Sequence, residues 1–326
     1  MEQRPQHHSV DGPSTLTKSR VVFLAGMGRS GSTLLERLLG ETALMAPLGE
    51  VMHLWQRGVA DDELCGCGKS FHNCEFWTAV GEHAFGGWAR LDVARIADLR
   101  RQVDRALKVP ILARQRLPQQ TAIAVAEYSG YYAALYDAAV AVSGRPIVID
   151  SSKQVSLPFC LSWSDRVDLT VLHCVRDSRA VVNAWTKTIA RPESRDPAAH
   201  MPVYPPAVMC AYWMLHNAEI DLLRRRNVRH LRVRYEDLVS DPARELRGVL
   251  HFLGVSTPLG FLRGHIADLS ASHTGAGNPM RFESGPIAIR SDTDWKRNLS
   301  AADRRLVTTL TAPLLLKYGY PLRVTA

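Results

Sequence analysis

The stretch GMGRSGST at residues 26–33 constrains this chain more than any other feature. It follows the apolar run RVVFLA at 20–25 and precedes STLLERLL at 32–39, which ends at Gly40. A short continuous apolar run with β-branched residues reads as a strand buried on both faces, as in a parallel sheet. The next segment has helical spacing, and a glycine just after it is a helix stop signal. A glycine-rich turn between strand and helix is where backbone N–H groups and the helix dipole bind phosphate. The spacing is G-x-x-x-x-G-S-T. A nucleoside-triphosphate loop needs Lys where Ser32 stands, to reach the β- and γ-phosphates, so the spacing argues against a kinase or ATPase. Here the cation is Arg29, inside the loop itself.

The remainder of the chain repeats this alternation. Residues 146–150, 168–175 and 228–234 read as strands. Helical periodicity covers 90–109, 119–143 (interrupted only by Ser129-Gly130), 178–189, 206–226, 242–253, about 258–268, and 301–317. Strands alternating with helices predict an α/β fold, a parallel sheet with helices on both faces. The expected organisation is a disordered leader at 1–19, then one domain at 20–326 with a helical insertion at 85–143. Residues 270–298 carry Gly275, Gly277, Pro279, Gly285 and Pro286 with little periodicity. So long a stretch is either a functional loop or disordered. Met280, Phe282, Ile287, Ile289 and Trp295 favour the functional loop.

Composition narrows the class. With 46% hydrophobic and 22% charged residues the chain can bury a core, which excludes a disordered protein. No apolar run approaches the ~18 residues of a membrane-spanning helix, and the first 20 residues hold no apolar signal segment. A cytoplasmic protein is expected. Lys plus Arg is 40 against 32 Asp plus Glu, a net +8, and only seven of the 40 are lysines. The positive charge is therefore mostly guanidinium, the group best shaped for bidentate contact with oxyanions. It is spread along the chain, so no nucleic-acid arm is indicated.

Four further segments bear on function: PLGEVMH (47–53), VLHCVRDSRAV (171–181), RYEDL (234–238), and the pair GNPMR (277–281) and DWK (294–296). Together with the first loop they resemble the sulfotransferases that use 3′-phosphoadenosine-5′-phosphosulfate (PAPS), in particular a bacterial type with Arg in the phosphosulfate loop. The resemblance implies a P-loop NTPase-like sheet flanked by helices, with residues 270–298 covering the nucleotide. It implies that Arg29 contacts the 5′-phosphate and bridging oxygen, with Ser30, Gly31, Ser32 and Thr33 as donors. Arg176 would hold the 3′-phosphate and Tyr235 would lie near the adenine. Arg281 is a further candidate phosphate ligand. Glu50 matches the catalytic base, with His53 behind it, and Lys153 matches the lysine that stabilises the transferring group. One position departs. The family's Ser eight residues after the Arg is Ala184 here, preceded by Asn183, a candidate replacement donor.

The implied reaction takes PAPS as co-substrate and requires no metal. The acceptor is a hydroxyl-bearing small molecule, glycan or lipid, and Trp88, Tyr128, Tyr131, Tyr132 and Tyr136 of the insertion are expected to shape its pocket. Two other readings stand: a P-loop-fold kinase of a small molecule, and a non-catalytic nucleotide-binding member, which Ala184 alone supports.

Six cysteines in so long a chain do not make a disulfide framework. Cys65, Cys67, His72 and Cys74 fall within ten residues. They would fit a tight Cys₃His zinc site, a disulfide, or reduced structural thiols, the last being the expectation. Cys160, Cys174 and Cys210 read as core.

Overall fold

The computed structural model describes residues 18–192, 194 and 198–323. The expected leader at 1–19 lies almost entirely outside them. The glycine-rich turn joins β1 (Ser19–Ala25) to α1 (Ser32–Gly40). The chain continues through β2 (Met45–Pro47), α2 (Glu75–Phe85), α3 (Val93–Val103), α4 (Val109–Leu112), α5 (Gln119–Ser143), β3 (Ile147–Lys153), α6 (Leu157–Leu161), β4 (Val167–Val175) and α7 (Ser178–Trp185). Then come α8 (Pro206–Asp221), β5 (Arg229–Arg234), α9 (Tyr235–Ser240), α10 (Pro242–Leu253), β6 (Leu262–Arg263), β7 (Ile266–Leu269), β8 (Gly285–Ala288), α11 (Trp295–Asn298) and α12 (Ala301–Lys317). The main sheet has the order β2-β3-β1-β4-β5 with every pair parallel. That is the α/β, P-loop-like architecture expected, with one apolar core cluster on each face of the sheet. Phe23 and Val21 pack against the α5 side, Val22 and Leu24 against α1 and α10. Alternate residues of a strand point to opposite faces, so a run buried at every position is what a two-sided sheet demands.

Three segments differ from the sequence expectation. The helix at about 258–268 is instead the antiparallel pair β6–β7, with Leu262 opposite Ala267. Gly264, at φ +60°, makes the turn between them, a conformation glycine adopts without steric cost. The edge strand β2 is too short to register as a periodic pattern, and helix 178–189 stops at Trp185. The segment 270–298 is ordered, because buried guanidiniums satisfy its carbonyls. Arg37 of α1 donates to Ser270, Met280 and Glu283 carbonyls at 2.9, 2.9 and 2.7 Å.

The insertion is helical as expected, but its aromatic residues do not open a pocket. Tyr128, Tyr132 and Tyr136 are fully buried and Trp88 nearly so. Tyr128 donates to Asp104 at 2.8 Å, Tyr136 to Asp150 at 2.6 Å, and Trp88 to the Trp77 carbonyl at 2.8 Å. Each ring hydroxyl or N–H needs a partner when buried, and these find theirs inside the core.

Candidate active site

A cleft of about 750 Å³ lies at the carboxyl ends of the main-sheet strands, where open α/β sheets bind ligands. Each strand contributes a candidate residue there: Arg29 after β1, Glu50 after β2, Lys153 at the end of β3, Arg176 after β4 and Tyr235 after β5. Gly31, Ser32 and Thr33 line the same cleft, and Ser30 is buried beneath it.

The loop between β1 and α1 is shaped by close approach. A Cβ on Gly26 would lie 2.2 Å from the Cys174 carbonyl oxygen, and one on Gly31 (φ +83°) 2.5 Å from the Tyr235 ring. No side chain caps α1. Its first-turn N–H groups, which have no partner within the helix, therefore front the cleft. The Ser30 hydroxyl is buried without a hydrogen-bond partner. Four non-glycine residues among those described take positive φ, and two of them are Arg29 (74°) and Lys153 (60°). Such conformations cost on the order of 1–3 kcal/mol and cluster at functional sites. At Lys153 the cause is visible: β3 bulges against β1, where Phe23 faces Asp150 but Ala25 faces Lys153, and bulges re-aim side chains.

The Glu50 carboxylate sits between Lys153, which donates to it, and His53, whose Nε2 is 3.6 Å away. Burial pushes its pKa up, but the Lys153 charge and the other nearby groups outweigh burial and hold it below the usual carboxylate value. Glu50 is thus ionised at neutral pH. Burial pushes His53 down to about 4, so its ring is neutral there. Glu50 is positioned from behind: its N–H donates to the Ala276 carbonyl at 3.0 Å, and that of Gly49 to Glu36 at 2.7 Å. Glu36 is itself buried, takes a second bond from Ser151 at 2.7 Å, and is pushed up to about 7 by burial.

Arg29 lies over the Trp185 ring at 5.4 Å, and burial lowers its pKa, opposed by Glu50. Arg176 lies over the Tyr235 ring at 4.2 Å and donates to the Asp292 carboxylate at 2.9 Å and the Arg29 carbonyl at 3.2 Å. Its Nε is buried without a partner.

Two expected residues lie elsewhere. Arg281 is 1% exposed and does not line the cleft; it donates to the carbonyls of Thr274 and Leu64 at 2.6 and 2.7 Å. It ties the 270–298 segment to the chain around Leu64. Asn183 is buried outside the cleft, while its neighbour Ala184 faces it, as the ~100° step between adjacent helical residues requires. Trp185, Lys187 and Asp292 also line the cleft and were not singled out from sequence. The rarity of lysine in this chain was the only signal for Lys187. The cysteine set changes as well. His72 bonds the Val59 carbonyl at 3.0 Å, and His273 takes the place beside Cys65, Cys67 and Cys74. No helix among the described residues is long and apolar enough to cross a membrane.

Residues 167–258, which hold β4, Arg176, β5 and Tyr235, match the model of the Sulfotransferase family. Carbohydrate sulfotransferase 7 of Mus musculus is 34% identical over 121 residues, 35% of this chain and 24% of that protein, so the match spans about a quarter of the relative's length. The sulfotransferase domain from the Synechococcus PCC 7002 olefin synthase aligns with 97% of this chain and 100% of its own at 21% identity and a TM-score of 0.54, a likeness of fold. The matched segment is thus similar to the Sulfotransferase family, and the fold around it is like that of a sulfotransferase domain.

Proposed function

We propose that this chain transfers a sulfuryl group from PAPS to a hydroxyl of a small-molecule, glycan or lipid acceptor. The observation that carries the reading is the convergence on one cleft of an uncapped helix N-terminus, two guanidiniums and an ionised Glu50 paired with Lys153. The donor fits the groups present. The unpartnered Ser30 hydroxyl, the α1 N–H groups and Arg29 suit the 5′-phosphosulfate end. Arg176 and its unpartnered Nε suit the 3′-phosphate, with Asp292 displaced from it, and Tyr235 suits the purine. Burial disfavours the charge on Arg29, so an arriving anion gains more there than at an exposed arginine.

In this mechanism Glu50 takes the proton of the acceptor hydroxyl as its oxygen attacks sulfur. The S–O bond to the 5′-phosphate breaks and its electron pair stays on the phosphate oxygen. Lys153 and Arg29 stabilise the charge that builds on the transferring group and on that oxygen. Little covalent chemistry is asked of the protein, so positioning and electrostatics dominate.

Incubation with labelled PAPS and a panel of sugar, phenol and lipid hydroxyls tests the reading. Transfer of label is expected, and Arg29→Ala should lower kcat/KM for PAPS by about 10–100-fold, the worth of a charge-assisted contact. Binding of adenosine 3′,5′-bisphosphate without transfer to any acceptor would favour the non-catalytic reading. Consumption of ATP with Mg²⁺ but not of PAPS would favour a kinase.

A further inference from the structure

Outside the cleft, the described residues place four metal-binding side chains together: Cys65, Cys67, Cys74 and His273, with all four donor atoms within 4.8 Å of one another. Three of these sulfurs come from one short turn, and the imidazole comes from a segment 199 residues further along. The Cys67 and Cys74 sulfurs are 3.8 Å apart. His273 Nδ1 is 3.2 Å from the Cys74 sulfur and 4.0 Å from that of Cys65. Tetrahedral zinc, with Zn–S about 2.3 Å and Zn–N about 2.0 Å, sets ligand edges of about 3.8 Å for S···S and about 3.5 Å for S···N. The Cys67–Cys74 edge matches the S···S value, and the two His273 edges lie on either side of the S···N value. A disulfide draws two sulfurs to about 2.05 Å and leaves the other two ligands without a reason to converge.

The backbone around the cluster is built for close approach. Gly66 N–H donates to the Thr274 carbonyl at 3.0 Å, and a Cβ on Gly66 would lie 2.6 Å from the Thr274 hydroxyl. The turn closes on itself through Cys65 N–H to Lys69 carbonyl at 2.9 Å and Gly68 N–H to Cys65 carbonyl at 2.8 Å. The His273 ring is fixed by stacking on Phe76, with centroids 5.2 Å apart at 20°. Arg281 ties the same two segments together from below, through the carbonyls of Leu64 and Thr274.

We propose that Cys65, Cys67, Cys74 and His273 hold a structural zinc ion that pins the 272–276 segment to the 65–74 turn. Three thiolates and one imidazole fill the four tetrahedral positions, so the site is closed and takes no part in the chemistry of the cleft. Binding expels the three thiol protons, which pass to solvent. The pinned segment is the one whose Ala276 carbonyl receives the Glu50 N–H, and Gly275 N–H donates to the Leu48 carbonyl at 2.9 Å. Zinc therefore stiffens the wall behind Glu50 from about one loop's distance.

The full chain, purified without chelator, is analysed by inductively coupled plasma mass spectrometry and zinc-edge X-ray absorption. The expected result is one zinc per chain with three sulfur ligands and one nitrogen ligand. Cys67→Ser and His273→Ala should each lose most of the metal. Chelation of the wild-type chain should lower Tm by about 5 °C or more. Glu50→Gln should keep its zinc, so failure of the proposed sulfuryl transfer and failure of the zinc site are read separately. The wild-type measurement does not depend on the variants folding. A chain purified without zinc that takes up none when it is supplied, with all its thiols free, overturns the proposal. So does a Cys67–Cys74 disulfide found by mass spectrometry.

Discussion

The cleft and the helical insertion treat their polar groups in opposite ways. In the insertion, Tyr128 bonds Asp104 and Tyr132 at 2.8 and 3.0 Å, Trp55 bonds Tyr132 at 3.2 Å, and Ser156 bonds Asp104 at 2.6 Å. This buried network is satisfied from within, which makes it rigid. Around the cleft, the Ser30 hydroxyl and Arg176 Nε have no partner, and Arg29 and Lys153 hold strained backbone angles. In the sequence both the glycine-rich loop and the aromatic-rich insertion read as parts of a binding site. Unpartnered buried groups also occur away from the cleft, as at Trp77 Nε1 and Arg100 Nε, so what singles out the cleft is their coincidence there with strained backbone angles at the strand ends.

The sharpest test of this contrast is Glu50→Gln. It keeps the side chain's shape but removes the base and leaves Lys153 without its carboxylate, so kcat per folded molecule should fall by about 10²–10⁴-fold and Tm should fall as well. Wild-type kcat in this variant would remove Glu50 from the chemistry.

Glu36 gives the next effect, on stability. Its folded pKa, about 7, lies above its ordinary 4.5, so the folded chain holds a proton that the unfolded chain has lost. The stabilisation is fully present below about pH 4.5 and is lost as pH rises through about 7. It amounts to about 3 kcal/mol in all. Glu36→Gln should flatten this part of the profile. Thermal unfolding between pH 5 and 8 checks it, and an unchanged slope in the variant would show that Glu36 does not titrate there.

The smallest effect is expected in the insertion. Tyr128→Phe deletes one buried hydroxyl and should cost about 1–2 kcal/mol of stability, read by denaturant unfolding, while transfer per folded molecule stays at the wild-type level. A loss of transfer comparable to that of Glu50→Gln would make the insertion part of the site and break the contrast.

Local patterns told much of this in advance. The 20–40 segment announced its strand, turn and helix because apolar run, glycine-rich turn and helical spacing all agree within about twenty residues, although Gly40, read as the stop signal, is the last residue inside the helix. The ends of β4 and β5 could be read the same way, and so could Arg176 and Tyr235, which follow them, whereas β3 runs on to Lys153, three residues past its expected end, and β2 did not register. The hairpin of β6 and β7 was hidden because LGFLRGHIADL carries apolar residues at helical spacing, and only the turn at Gly264 decides against a helix. Arg281 read as a phosphate ligand because sequence shows its charge but not the carbonyls of Leu64 and Thr274 that occupy it.

By itself the sequence determined the parallel α/β class and the loop that fronts the cleft, since both depend on neighbours a few residues apart. Tertiary structure alone decided which arginines line the cleft and which stitch the chain together. It also decided that the insertion's tyrosines are core and that His273, not His72, joins the three cysteines. Each of these depends on contacts between residues far apart in the chain, whose partners are set only when the sheet has brought its strand ends, and the loops that follow them, into one place.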